Sequence, residues 1–133
     1  MNILQPEGWA RPRGYSNGIA ASGRTVCVSG MVGWDAHGQF HTDDFAGQVR
    51  QALQNVVDVL AEANARPEHI VRMTWYVIDK KEYVGAYKEI GDAYRDIIGR
   101  HYPTMTAVQV VALIEDRAKV EIEVTAIVPD ADS

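Results

Sequence analysis

The sequence predicts an α+β fold: a single mixed β-sheet with two helices packed on one face, in the order β-β-α-β-α-β-β. Three observations predict it. Residues 102–128 hold two apolar runs rich in β-branched residues, 104–113 and 118–128, separated by Ile114, Glu115, Asp116 and Arg117. In the second run Ala118, Val120, Ile122, Val124, Ala126 and Val128 alternate with Lys119, Glu121, Glu123 and Thr125, so one strand face is apolar and the other partly acidic. Two further stretches repeat apolar residues at three- and four-residue steps, the mark of amphipathic helices. A sheet with one apolar face needs a cover, and these helices supply it.

Each element follows in order. Residues 1–14 carry Pro6, Gly8, Pro12 and Gly14 and read as an irregular arm. Residues 16–21 and 24–29 read as two short strands joined by a Ser22-Gly23 turn. Residues 30–38, with Gly30, Gly33 and Gly38, read as a surface loop. Thr42, with Asp43 and Asp44 behind it, offers a capping hydroxyl followed by acids that suit a helix start. Phe45, Val49, Ala52, Leu53, Val56, Leu60 and Ala63 then form one stripe to about Asn64. Residues 69–78 read as a strand with Trp75 and Tyr76 on opposite faces. Asp79 caps a second helix with Tyr83, Ala86, Tyr87, Ile90, Ala93, Tyr94 and Ile97 as its stripe and Gly99 as its stop. The final two runs read as a long hairpin with a loop of about four or five residues. Residues 129–133 make a short acidic tail.

Length and composition narrow the function. A chain of 133 residues, 47% hydrophobic and 23% charged, fits one domain over residues 1–133 with a substantial core. No apolar run approaches the roughly 20 residues of a membrane span. The first 14 residues lack an apolar leader segment, and the single Cys27 excludes an internal disulfide; both fit a cytoplasmic protein. Thirteen basic against 18 acidic residues, a formal charge of −5, argue against non-specific nucleic-acid binding.

The candidate chemistry is sparse. Cys27 lies within an apolar strand and reads as a buried structural thiol. His37 and His41 are four apart in a glycine-containing loop, with His69 and His101 distant, so no metal site is expected. Phosphate loops, dinucleotide fingerprints and nucleophile elbows are absent. Ser29-Gly30 either ends a strand or presents backbone amides to an oxyanion. Glu121 and Glu123 share a strand face about 6.6 Å apart. They are either a solvated face or a place for a general base that handles water. Tyr15, Tyr76, Tyr87, Tyr94 and Tyr102 read as packing residues with hydrogen-bonded tips.

Several segments, in their order and spacing, resemble the RidA family, also called YjgF or L-PSP. They are Tyr15-Ser16-Asn17, Val26-Cys27-Val28-Ser29-Gly30 and Gln48 to Val56. The strand running into Asp79, Tyr102-Pro103 through Val110, and Val120-Glu121-Ile122-Glu123 complete the match. The resemblance spans about residues 15–128. It implies a chorismate-mutase-like subunit, a homotrimer with ligand clefts between subunits, and no cofactor. It also implies hydrolysis of reactive enamines and imines to keto compounds and ammonia. By position, Glu121 matches the glutamate that positions the attacking water. Ser29 and Gly30 line the cleft, and Tyr15 lies at its wall.

The sequence departs from that pattern where substrate is held. Met105 stands in place of the arginine that grips a substrate carboxylate, Ala107 in place of a cysteine, Met31 in place of a glutamine, and Tyr87 in place of an asparagine. An arginine–carboxylate bond is worth roughly 1.5–3 kcal/mol, and methionine offers no charge to replace it. Arg13 and Arg24 are the candidate substitutes, and Trp34 a candidate pocket wall. The expected activity is therefore imine deamination with an altered substrate. The alternatives are a non-catalytic trimer holding an apolar or aromatic small molecule and, more distantly, an endoribonuclease or translation inhibitor.

Overall fold

The computed structural model describes residues 1–130, so most of the expected acidic tail (131–133) lies outside the described residues. The elements are β1 (Asn2–Leu4), β2 (Gly18–Ala20), β3 (Arg24–Val32), α1 (Phe45–Glu62), β4 (Ile70–Val77), α2 (Lys80–Gly85), α3 (Tyr87–Ile97), β5 (Thr104–Gln109) and β6 (Val120–Val128). A four-stranded mixed sheet has the order β3-β6-β4-β5, with β1 and β2 pairing separately. The α+β class with helices on one sheet face is as the sequence predicts.

The strand neighbours are not. The expected hairpin of 104–113 with 118–128 does not form, because β4 lies between the two strands. β6 pairs antiparallel with β3 on one side and with β4 on the other, so both its edges are used. β5 instead pairs parallel to β4, with Met73 opposite Met105 and Trp75 opposite Ala107. A parallel pair needs a long crossover, and α2–α3 provide it. The short hairpin expected across Ser22-Gly23 is also replaced: β2 pairs with β1 from the supposedly irregular arm, and β3 with β6. Gly23, at φ +143°, lies against the Val128 carbonyl, where any side chain would collide.

β6 is the centre of the sheet because its alternation is complete. Val120, Ile122, Val124, Ala126 and Val128 are buried under the helices, while Glu121, Glu123, Thr125 and Ile127 stay half-buried on the opposite face. The Phe45, Val49, Leu53, Val56 and Leu60 stripe of α1 seals the first face. The α1 cap is Asp44, not Thr42: the Asp44 carboxylate accepts from Gly47 N at 2.9 Å, and the Thr42 hydroxyl accepts from Asp44 N at 3.0 Å. Gln48, fully buried on this stripe, donates to the carbonyls of Thr42 (3.1 Å) and Arg117 (3.0 Å) and accepts from Lys119 N (2.8 Å). It ties the turn before β6 to the helix.

The second helix is split. Asp79 caps it as expected, accepting from Lys81 N and Glu82 N, but the chain breaks at Ala86 into α2 and α3. Gly99, at φ +95°, closes α3 through its N–H to the Tyr94 carbonyl. No helix of the described residues is long and apolar enough to cross a membrane.

Candidate functional site

β3 does not end at Ser29-Gly30 in a loop. It runs on to Val32 through a bulge, since Val28 pairs with Val124 and Met31 with Ile122. Two residues, Ser29 and Gly30, therefore face Glu123 alone, the arrangement of a β-bulge. The glycine is required: a Cβ there would lie 2.7 Å from Glu121 Cδ, so the Glu121 side chain rests on the Gly30 backbone. The bulge also returns Met31 to the helix side, where it is half-buried and packs against the core.

The two strand carboxylates are not equivalent. Tyr76 Oη donates to Glu123 Oε1 at 2.5 Å, and that bond, with burial and the charges of Glu123 and Glu121, holds the phenol protonated above its ordinary range. Glu121 accepts no hydrogen bond from any described residue and is half-buried. A carboxylate so placed is available to orient a water.

Tyr15, Tyr87, Met105 and Ala107 gather elsewhere, in a cleft of about 1050 Å³ between edge strand β5 and helices α2–α3. Ser16 positions Tyr15 there. Its N–H donates to the Pro103 carbonyl (3.0 Å) and its hydroxyl to the Tyr102 carbonyl (2.6 Å), which staples the arm to the start of β5. Met105 and Ala107 point to the helix side because they register with Met73 and Trp75, the buried residues of β4. Glu121 registers with Tyr76 and so occupies the opposite face. Within one chain, then, Met105 and Glu121 are not neighbours. The residues expected to form one site fall into two separate groups within the chain: the Ser29–Gly30–Glu121 bulge and the Tyr15–Tyr87–Met105–Ala107 cleft.

Sequence reasoning missed much of the cleft wall. Trp75, Tyr83, Tyr94 and Tyr102 line it, with Arg13, Lys80 and Arg95. Tyr83 meets Tyr87 edge-on at 5.3 Å and Trp75 at 6.2 Å, while Tyr94 stacks on Tyr102 at 5.7 Å. Burial, then Tyr87, pushes the Tyr83 hydroxyl up; burial, then Tyr102, pushes Tyr94 up further. Tyr94 donates to the His101 carbonyl at 2.5 Å. The helical spacing of Tyr83, Tyr87 and Tyr94 was the available signal, and it reads equally well as core. Of the candidate cations, Arg13 lines the cleft; Arg24 is committed to the Ala63 carbonyl at 2.8 Å. Trp34 packs on Phe40 at 5.8 Å, away from the cleft. Cys27 is exposed on the sheet face opposite the helices, not buried, because its neighbours Val26 and Val28 take the inward positions.

Among the described residues no group of three or more His, Cys, Asp or Glu is arranged to hold a metal ion. His41 Nε2 instead pairs with Asp35 at 2.6 Å. Hydrogen bonds from Gln39 N, His41 and His37 N hold the Asp35 carboxyl at about 2, against an ordinary 3.8. A carboxyl lowered on folding stabilises above its unfolded value and loses that contribution as pH falls through the folded one. We expect loop 35–41 to loosen only between about pH 4 and pH 2, with an Asp35 midpoint near 2 in a carboxyl-carbon NMR titration. A midpoint at 3.8 would show that these bonds do not hold in solution.

The fold defines an α+β protein of RidA type, and comparison with known proteins gives the family. Residues 9–128 match the endoribonuclease L-PSP family, and the chain belongs to that family, also known as RidA or YjgF. It is 30% identical over 114 residues to the bovine (Bos taurus) 2-iminobutanoate/2-iminopropanoate deaminase, covering 85% of this chain and 79% of that one. The Rid-family protein YyfB from Yersinia pestis superposes with a TM-score of 0.84 at 28% identity, covering 96% of this chain and 98% of the other. Rv2704 from Mycobacterium tuberculosis superposes with a TM-score of 0.64 at 33% identity, covering 86% and 87%.

Proposed function

We propose that this protein is a cofactor-independent imine deaminase whose two half-sites complete one another between the subunits of a homotrimer. The observation that carries the reading is Glu121, a half-buried carboxylate with no donor among the described residues, resting on Gly30 in a bulged strand. The deaminase names of relatives such as the bovine protein support the reaction class. In the reaction, Glu121 takes a proton from water as its oxygen attacks the imine carbon. Glu121 returns that proton to the nitrogen of the tetrahedral adduct and relays the adduct's hydroxyl proton to the same nitrogen, so that the C–N bond breaks, ammonia leaves and the C=O of the keto product forms. Backbone amides of the Ser29-Gly30 bulge are the donors for developing negative charge. The cleft formed by Tyr15, Tyr87, Met105 and Ala107 holds the remainder of the substrate.

Met105 sets the substrate. Lacking the cation, the site should handle the small imine derived from 2-aminoacrylate poorly. Met105→Arg is expected to raise the rate on that imine about 10- to 100-fold, the worth of a charge-assisted bond. Ammonia and keto-acid release measured side by side checks this; equal rates would show that Met105 does not limit the reaction. The same absence favours the second reading, a binding trimer without turnover. A formal charge of −5 weighs against the ribonuclease reading.

A further inference from the structure

Polarity in the cleft is sorted by depth. Its deep wall is apolar: Met73, Val77, Ile90 and Pro103 are buried, and Tyr94 and Met105 are half-buried and pack against the core. The cations that line it, Arg13, Lys80 and Arg95, are all exposed, and Arg95 is engaged by Asp92 at 2.7 Å. A carboxylate seated on the deep wall beside Met105 would lose its water and gain no counter-charge, which is costly. An apolar group gains by the same transfer. The space suits a large group: about 1050 Å³, at the upper end of the roughly 300–1000 Å³ of sites for drug-sized ligands. Ring edges and faces border it, since Tyr83 meets Tyr87 edge-on at 5.3 Å and Tyr94 stacks on Tyr102 at 5.7 Å. Aromatic ligands pack on both.

We propose that the substrate is an aryl imine with no carboxylate beside its imine carbon. This rests on the deaminase reading and names its substrate class. The aryl group lies on the deep wall against Met105, and the imine carbon lies at the mouth, where water arrives. A C–O bond forms to that carbon, both protons of the water pass to the nitrogen, and the C–N bond breaks. The products are ammonia and a neutral aryl ketone or aldehyde. Met105 is then a specificity residue that selects an apolar substituent over an anionic one.

The test is a binding titration of the full-length protein with acetophenone, phenylglyoxylate and pyruvate, followed by calorimetry and by the methionine methyl NMR signals. Acetophenone and phenylglyoxylate share the ring and the carbonyl, and differ in a methyl group against a carboxylate. The chain has four methionines, and Met105→Leu assigns the Met105 signal. The wild type is expected to bind acetophenone about tenfold tighter than phenylglyoxylate, with pyruvate weakest and the Met105 methyl shifted by the bound ring. Met105→Arg is expected to strengthen phenylglyoxylate about 10- to 100-fold relative to acetophenone. Phenylglyoxylate or pyruvate binding as tightly as acetophenone, an unmoved Met105 signal at saturation, or no binding of acetophenone overturns the proposal. Ammonia release from the N–H imine of acetophenone, above its spontaneous rate, completes the test. Hydrolysis of the small imine derived from 2-aminoacrylate but not of this one would defeat the substrate assignment and leave the deaminase reading standing. Acetophenone binding without hydrolysis of either imine would remove the deaminase reading, and the substrate assignment with it.

Discussion

Glu121→Gln is expected to lower imine hydrolysis by a factor of about 10² to 10⁴ while leaving the melting temperature close to that of the wild type. The size follows from what a positioned general base contributes. The selectivity follows from the strand. Glu121 accepts no bond from a described residue, so its neutral isostere breaks nothing in the subunit, and Gly30 still leaves room for it. Glu123→Gln is the contrast. It weakens the 2.5 Å bond from Tyr76 Oη, and its effect should appear in stability and in the Tyr76 titration before it appears in rate. Initial rates of ammonia release beside a thermal melt separate the two. A Glu121→Gln enzyme that keeps its rate would take the water-handling role away from that residue.

Gln48→Leu should have the largest effect on stability. The leucine nearly matches the volume but makes none of the three bonds of the glutamine amide. It would strand the carbonyls of Thr42 and Arg117 and the N–H of Lys119 around a fully buried position. Unsatisfied buried groups cost about 1–3 kcal/mol each, so a loss of about 3 kcal/mol or more is expected. For a chain of this size that is roughly 10 °C in Tm. A melt within about 2 °C of wild type would mean that water replaces the amide, and that the turn before β6 is not held from α1.

What the sequence revealed, and what it did not, divides along a physical line. Alternation in β6 and the three–four spacing of α1 specify which face of an element is buried, and both faces are found as read. Alternation says nothing about which strand lies alongside. The apolar runs at 104–113 and 118–128 would suit a hairpin as well as the observed order, in which β4 intervenes. The bulge is the second source of error. One extra residue at Ser29-Gly30 reverses the facing of everything after it, which sends Met31 to the core side. The cleft was legible only where the family resemblance supplied positions. Trp75 and Arg13 enter it through packing of the arm and through the α2–α3 crossover, and neither is a local property of the chain.

The division into two half-sites has a direct consequence. If the bulge of one subunit serves the cleft of the next around a closed ring, two inactive variants can repair each other. Glu121→Gln retains a sound cleft. Ala107→Trp retains a sound Glu121 but fills the cleft from an exposed strand position. The decisive measurement is the imine-hydrolysis rate of the two variants unfolded together, refolded as a 1:1 mixture, and compared with each alone. A site shared between copies predicts recovery to roughly a quarter of the wild-type rate, the fraction of random junctions that pair a sound cleft with a sound carboxylate. A mixture no more active than its components would contradict the shared site.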